Sequence, residues 1–433
     1  MKRLTWFRPL ALLLALGLLA AACGGDDGDS DDAGDDGGDT STEELAVVPG
    51  FDGTTIRVAA LTPDSGPVSV IGKPLTNGNR AYFNYINSQG GIAGKYPIEL
   101  VVGDTAYDRT QAATKYGELE GDVVMVAQLL GTAIVDALLG DLEDDDMIAV
   151  PASLDSKWVR EPNLLPVGGP YQIQAINSID WYYSQAENEG QTLCTVGSDD
   201  EYGDAGNEGV QFIADELGID VAAKATFPAP GPQRPAQNFQ AQIAELSGAN
   251  CEVVFVIATP SDMAALATTL AETPSFAPKK IIGQSPTWIG AFAANPYLQA
   301  NFLLASEGTE FGDTSVPGMA QLTEVIGNPE LSGEQQPDIY FNFGYVSAIA
   351  TVALLEKAVE NGDLSREGLL EALEDLGTVS FSGLTGDYEY GAADDRVPPV
   401  RSSIYKPNPA KGGGLEIVER DYEADVAKDF EFE

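Results

Sequence analysis

The strongest constraint on the fold of this chain is the regular exchange of short apolar runs for amphipathic segments. TTIRVAAL (54–61) is β-branched and apolar, and it has the length of a strand rather than a helix. Residues 74–90 then read as a helix, with Leu75, Ala81, Tyr82, Tyr85 and Ile86 near one stripe. Gly90 and Gly91 can stop it, and YPIELVVGD supplies the next strand. YDRTQAATKYGELEG, the strand VVMVAQ (123–128), a helix over 132–142 and the strand MIAVPAS complete a first series. A second begins after the turn-rich LLPVGGPY (164–171). It runs through a helix over 173–189, TLCTVGS, NEGVQFIADELG, KATFPAP, PAQNFQAQIAELSGAN, CEVVFVIA, DMAALATTLAET and KKIIGQSP. Strand–helix alternation predicts an α/β fold with parallel-rich sheets flanked by helices. Two series divided near residue 170 predict two lobes, each with its own sheet. The remainder is less regular: strand-like FLLASEGTE, helices in FNFGYVSAIATVALLEKAVENG and SREGLLEALEDLG, Gly-rich turns, SSIYKP as a terminal strand, and a charged tail.

The start of the chain points to export. Lys2, Arg3 and Arg8 flank or precede the apolar run 10–22, which at thirteen residues spans roughly 20 Å as a helix and is short for a membrane crossing. The run ends at Cys23-Gly24-Gly25, and the whole resembles a bacterial lipoprotein signal in which the cysteine is lipidated. The departure from that pattern is mild: Ala20 stands three positions before the cysteine, with Leu19 one further back. Residues 1–22 are therefore expected as a signal peptide, and 23–53 as a lipidated cysteine with an acidic, disordered tether. Residues 24–44 hold eight Asp, two Glu and no basic residue, so like charges repel and no apolar face forms.

Charge and composition exclude several functions. The chain of 433 residues carries 23 Lys plus Arg against 67 Asp plus Glu, a formal charge of -44. Without the leader and the tail's carboxylates, residues 45–433 still stand at -37. Phosphate binding needs Lys/Arg patches, so no nucleic-acid partner is expected. There is no histidine, which excludes Ser-His-Asp and Cys-His catalysis and every imidazole metal site. No GxGxxG opens the first strand-to-helix turn, against a dinucleotide enzyme. No cofactor and no metal are expected, and the chain is not expected to be an enzyme.

Several spaced segments carry a family likeness. SGPVSVIGKPLTNG (65–78), INSQGGIAGKYPIEL (86–100) and GDTAYD (103–108) come first, then SDDEYGDAG (198–206), NFQAQIAEL, PSDMAAL, GYVSAIATVALLEKA and FSGLTGDYEY. In this order, over approximately 54–408, the chain resembles type I periplasmic solute-binding proteins, specifically the Leu/Ile/Val-binding-like group for branched-chain amino acids and amides that serves ABC importers. The resemblance implies a two-lobed Venus-flytrap fold. Lobe one would comprise 54–168 and 306–380, and lobe two 171–303 and 384–408, with 409–433 as a C-terminal extension. It implies a monomeric extracytoplasmic lipoprotein, held at the membrane by its lipid anchor, that closes on a small polar solute and delivers it to an ABC permease. Amino acids, amides, urea-like compounds and small carboxylates are the solute candidates. An extracytoplasmic sensor or surface-interaction lipoprotein is the alternative role, and an enzyme the remote one.

Ligand positions follow from the strand ends and the family pattern together. Leu130-Gly131-Thr132 follows a strand and precedes an apolar helix; glycine permits close backbone approach, and Thr132 either caps the helix or offers a hydroxyl and N–H to an anion. Ser153 sits after the next strand, as a ligand contact or a turn-stabilising hydroxyl. The resemblance places Tyr202 over the solute from lobe two, and Ile71 beside its side group. Trp158 and Trp288 are read as aromatic walls or as core residues, and Ser285 as part of a solute-facing loop. Asp199, Asp200 and Glu201 read as solvated loop charges, and Asp262 as a helix cap. An α-ammonium wants a carboxylate in a closed cleft, and the amino-acid-binding branch commonly supplies one after KKIIG. Here that loop is Gln284-Ser285-Pro286, without an acid. Cys194 and Cys251 lie on or beside strands that can be neighbours, and export permits a disulfide between them or two buried thiols.

Overall fold

The computed structural model describes residues 44–333 and 338–432, and these form one compact unit. The expected leader, Cys23 and most of the acidic stretch lie outside the described residues. Packing begins before residue 54, because Phe51 is buried edge-on against Tyr96 with ring centroids 5.1 Å apart.

The first series builds β1 (Ile56–Thr62), α1 (Ser69–Ser88), β2 (Ile98–Asp104), α2 (Arg109–Leu119), β3 (Met125–Leu130), α3 (Thr132–Asp144) and β4 (Ala149–Ala152). These four strands form a wholly parallel sheet in the order β2-β1-β3-β4. The second series builds α4 (Tyr171–Tyr183), β5 (Leu193–Asp199), α5 (Glu201–Leu217), β6 (Val221–Pro228), α6 (Gln240–Gly248), β7 (Val253–Ile257), α7 (Pro260–Glu272), β8 (Lys280–Gln284), α8 (Pro296–Asn301) and β9 (Phe302–Ser306). The chain then returns through α9 (Met319–Ile326), α10 (Pro329–Ser332), α11 (Ile339–Asn361), α12 (Arg366–Glu374) and the short antiparallel pair β10 (Thr378–Val379) and β11 (Tyr388–Glu389). It ends with β12 (Ser402–Pro407) and β13 (Leu415–Tyr422). The second sheet has seven strands, β13-β12-β9-β8-β7-β5-β6, parallel from β6 to β9 with two antiparallel strands added at the β9 edge. The result is a two-lobed α/β architecture with parallel-rich sheets flanked by helices.

Two elements depart from the sequence reading. The charged tail was read only as a C-terminal extension over 409–433, yet residues 415–422 pair as β13, with charged side chains facing solvent at the sheet edge. Helix α1 begins at Ser69 rather than near Pro74, so the proline sits inside the helix.

Helix α11 organises the first core. By length and hydropathy it is apolar enough to cross a membrane, but most of it is buried among the described residues of this lobe. A helix apolar on all sides is what a central core position requires. It crosses α1 at very short range: a Cβ at Gly344 would lie 1.9 Å from the Leu75 carbonyl oxygen, and one at Gly78 would lie 2.1 Å from that of Phe341. Leu384, Tyr388 and Tyr390 join the same core. In the second sheet Cys194 and Cys251 are joined by a disulfide with Cα atoms 5.8 Å apart.

Candidate functional site

A cleft lies where both parallel sheets present their carboxyl ends, the position at which open α/β sheets bind ligands. Eight strands contribute, β1 to β5 and β7 to β9. Ile71 and Leu75 follow β1, Tyr107 follows β2, Gly131 and Thr132 follow β3, and Ser153 follows β4. From the opposite lobe come Tyr202 after β5, Thr259 after β7, Ser285 after β8 and Glu307 after β9. The first turn of α11 closes one side with Tyr340 and Phe343. The cleft holds about 590 Å3 of non-protein space, part of it continuous with solvent.

The anion-binding features sit on the first lobe. Gly131 is the N-cap of α3 with φ 111°, and a Cβ there would meet Tyr107 Cε2 at 2.5 Å. Thr132 is the first helical residue, not the cap, and no side chain caps the helix. The first amides of α3 are thus available toward the cleft, where the helix end favours negative charge. Ser153 Oγ accepts from Trp158 Nε1 at 3.1 Å, which leaves its own proton free to be donated.

The second lobe supplies a carboxyl and aromatic rings. Glu307 Oε2 accepts from Gln174 Nε2 at 3.0 Å, while Gln174 Oε1 accepts from the Ser285 N–H at 3.0 Å. One amide therefore locks the hinge acid to the β8 loop. Burial raises the Glu307 pKa, partly offset by hydrogen bonding, including from Ser285 and Ser306. Tyr171 and Tyr202 meet edge-on at 5.0 Å, and burial raises both phenols well above their ordinary value. Tyr202 Oη, like the buried Gln284 amide nearby, has no hydrogen-bond partner among the described residues.

The lobes touch across the mouth. Arg109, at the start of α2, pairs with Glu201, at the start of α5, at 2.5 Å. Tyr340 Oη donates to the carbonyls of Trp288 at 2.7 Å and Pro286 at 3.1 Å. The Glu201 carboxyl is held below its usual range despite burial, chiefly by the Arg109 hydrogen bond.

Of the positions expected from sequence, Ile71, Leu130, Gly131, Thr132, Ser153, Tyr202 and Ser285 come together around this cleft. Trp158 and Trp288 do not line it. Trp158 is buried behind Ser153, and Trp288 stacks on Phe302 in the second-lobe core at 5.9 Å, with Nε1 3.4 Å from the Gly413 carbonyl. The loop charges also have other duties. Asp200 caps α5 through Gly203 N–H, and Asp262 binds Arg234 at 2.6 Å, while Thr259 takes the N-cap position of α7. Sequence reasoning missed Glu307, Tyr107, Tyr171 and Tyr340. Nothing local signalled Glu307, because FLLASEGTE reads as one strand through it.

Comparison with known proteins gives a consistent result. The profile of a family described as "Periplasmic binding protein" matches residues 55–403. No curated protein sequence matches significantly. Among solved structures, the chain is similar to a fatty acid ABC transporter substrate-binding protein from Thermomonospora curvata, at 26% identity and TM-score 0.81, covering 90% of this chain and 97% of that one. A branched-chain amino acid ABC transporter from Thermus thermophilus with bound valine aligns at 16% identity and TM-score 0.72, covering 87% and 98%. An ABC transporter substrate-binding protein from Aeropyrum pernix aligns at 21% and 0.70, with the same coverages.

Proposed function

The chain belongs to the periplasmic binding protein family, as a type I extracytoplasmic solute-binding protein of the ABC transporter superfamily, and from that premise we propose that it captures an amphipathic solute for an ABC importer. The observation that carries this reading is the cleft lining. Val68, Ile71, Leu75, Leu130, Ile339 and Phe343 give it an apolar body, while the α3 N-terminus and Ser153 give it one anion-receiving end. A urea-sized polar solute would leave most of that wall without a partner. A carboxylic acid with an aliphatic body suits both parts, and the Thermomonospora relative is a fatty acid binder by name. This departs from the expectation of a small polar solute and keeps only its carboxylate end.

Glu307 supports a second reading, an apolar amino acid. No Lys or Arg lines the cleft among the described residues, so the hinge carboxyl is free to face an α-ammonium. The Thermus relative was solved with valine. In either case lobe closure excludes water, and the solute is presented to permease subunits without covalent chemistry. Lipidation at Cys23 would keep the monomer at the membrane beside that permease.

Native mass spectrometry of the protein purified without added solute tests the reading. A retained aliphatic acid supports the first version, and a retained apolar amino acid the second. A protein that retains nothing and binds neither decanoate nor valine on titration would remove solute capture from consideration.

A further inference from the structure

A second cavity lies directly behind the solute cleft, and Glu307, Ile339 and Phe343 are walls of both. It occupies the hinge, between the strand end at Ser306 and the first turns of α11, with Thr385, Tyr405 and Leu415 closing the far side. Its polar chemistry is one-sided. Glu310 Oε1 and Asn342 Oδ1 are both buried and have no hydrogen-bond partner among the described residues. Both are acceptors when the acid is ionised. The Asn342 amide nitrogen is already committed to the Thr309 carbonyl at 3.3 Å, which fixes which end of the amide remains.

No base answers the acid. No Lys or Arg lines this cavity among the described residues, and the charged group acting on Glu310 is another carboxyl, Asp338, the N-cap of α11. The Phe311 backbone N–H reaches Glu310, but no positive charge does, so this buried carboxylate with a like charge nearby needs either a proton or a cation. Thr309 and Thr385 also line the cavity; their hydroxyls donate to the Gly383 and Glu307 carbonyls, which leaves the hydroxyl oxygens with lone pairs to offer an ion. One carboxylate with neutral oxygens is the donor set of a hard ion carrying a single charge, not of a transition metal.

We propose that the hinge cavity is a binding site for a small monovalent cation, sodium or potassium, with Glu310 and Asn342 as its side-chain ligands. Because the cavity shares walls with the cleft and is built from both the strand exit and α11, the ion stabilises the hinge where the lobes join. An acidic chain gathers such cations around it, which raises their local concentration at the site.

The test uses the full chain in sodium chloride, potassium chloride and choline chloride at equal ionic strength, so that general screening of the acidic surface is matched. Thermal unfolding should be about 2 °C higher in sodium or potassium than in choline. Glu310→Gln should fold and lose that difference. Crystals of the wild-type protein soaked in rubidium chloride should show an anomalous peak between Glu310 and Asn342, a readout independent of any variant. Equal melting in all three salts, a difference that survives in Glu310→Gln, or density that fits water alone would overturn the site. A response to calcium but to neither sodium nor potassium would overturn its monovalent character.

Discussion

At the scale of single residues, the cleft assigns different work to side chains that look alike in sequence. Ser153 and Ser285 both follow strands, but Ser153 is oriented by the Trp158 indole, whereas Ser285 is tied through its backbone to Gln174. Ser153→Ala should therefore weaken the carboxylate end by about 1 kcal/mol, roughly fivefold in Kd by calorimetry, and should also lower the melting temperature, because the buried Trp158 N–H loses its acceptor. Trp158 shows why some readings stayed open at this scale: a tryptophan beyond a strand reads equally as wall or core, and only packing decides. Glu307 was illegible for a related reason, since FLLASEGTE reads as one strand and nothing local marks where the sheet stops and the cleft opens. Glu310, three residues on, carries a pH prediction. Burial, with Asp338 adding to it, raises its pKa from the ordinary 4.5 to about 8. The folded chain then binds a proton that the unfolded chain has released, so stability falls as pH rises between those two values. In choline chloride, thermal melts of the wild type should decline from pH 5 to pH 8, and Glu310→Gln should decline less. Identical slopes would contradict the assignment.

At the scale of elements, strand–helix alternation was legible because both periods are local, and the parallel sheets followed from it. What was not legible is how elements approach. Gly78 and Gly344 are unremarkable letters within amphipathic segments, yet each sits where α1 and α11 nearly touch backbone to backbone. A methyl at position 344 has no flexible neighbour to displace, since what it meets is the Leu75 carbonyl. Gly344→Ala should cost about 2 kcal/mol or more in denaturant unfolding, although alanine is the better helix former. The same crossing explains why α11 can be as apolar as a membrane helix and belong to a core. Pro74 misled the reading of α1 because proline usually marks a helix start, and here it lies within the helix. β13 was missed because its charged residues interrupt any apolar alternation, whereas an edge strand uses such charges to discourage further pairing.

At the scale of the whole molecule, eight strand ends from two sheets converge on one chamber, and no short window of sequence contains that convergence. The family pattern located Ile71, Thr132, Ser153 and Tyr202 near one another, while the largely apolar character of the chamber came only from bringing Val68, Ile339 and Phe343 beside them. The cross-lobe contacts, Arg109 with Glu201 and Tyr340 with the Trp288 carbonyl, hold the two sides together over it. The central claim is capture of a solute with an apolar body and a carboxylate end. Calorimetric titration at two temperatures tests it most directly, using decanoate, valine and urea. Binding of decanoate or valine at one site per chain, with a negative heat-capacity change from apolar burial and no heat from urea, is the predicted result. Saturable binding of urea, with neither decanoate nor valine bound, would contradict it.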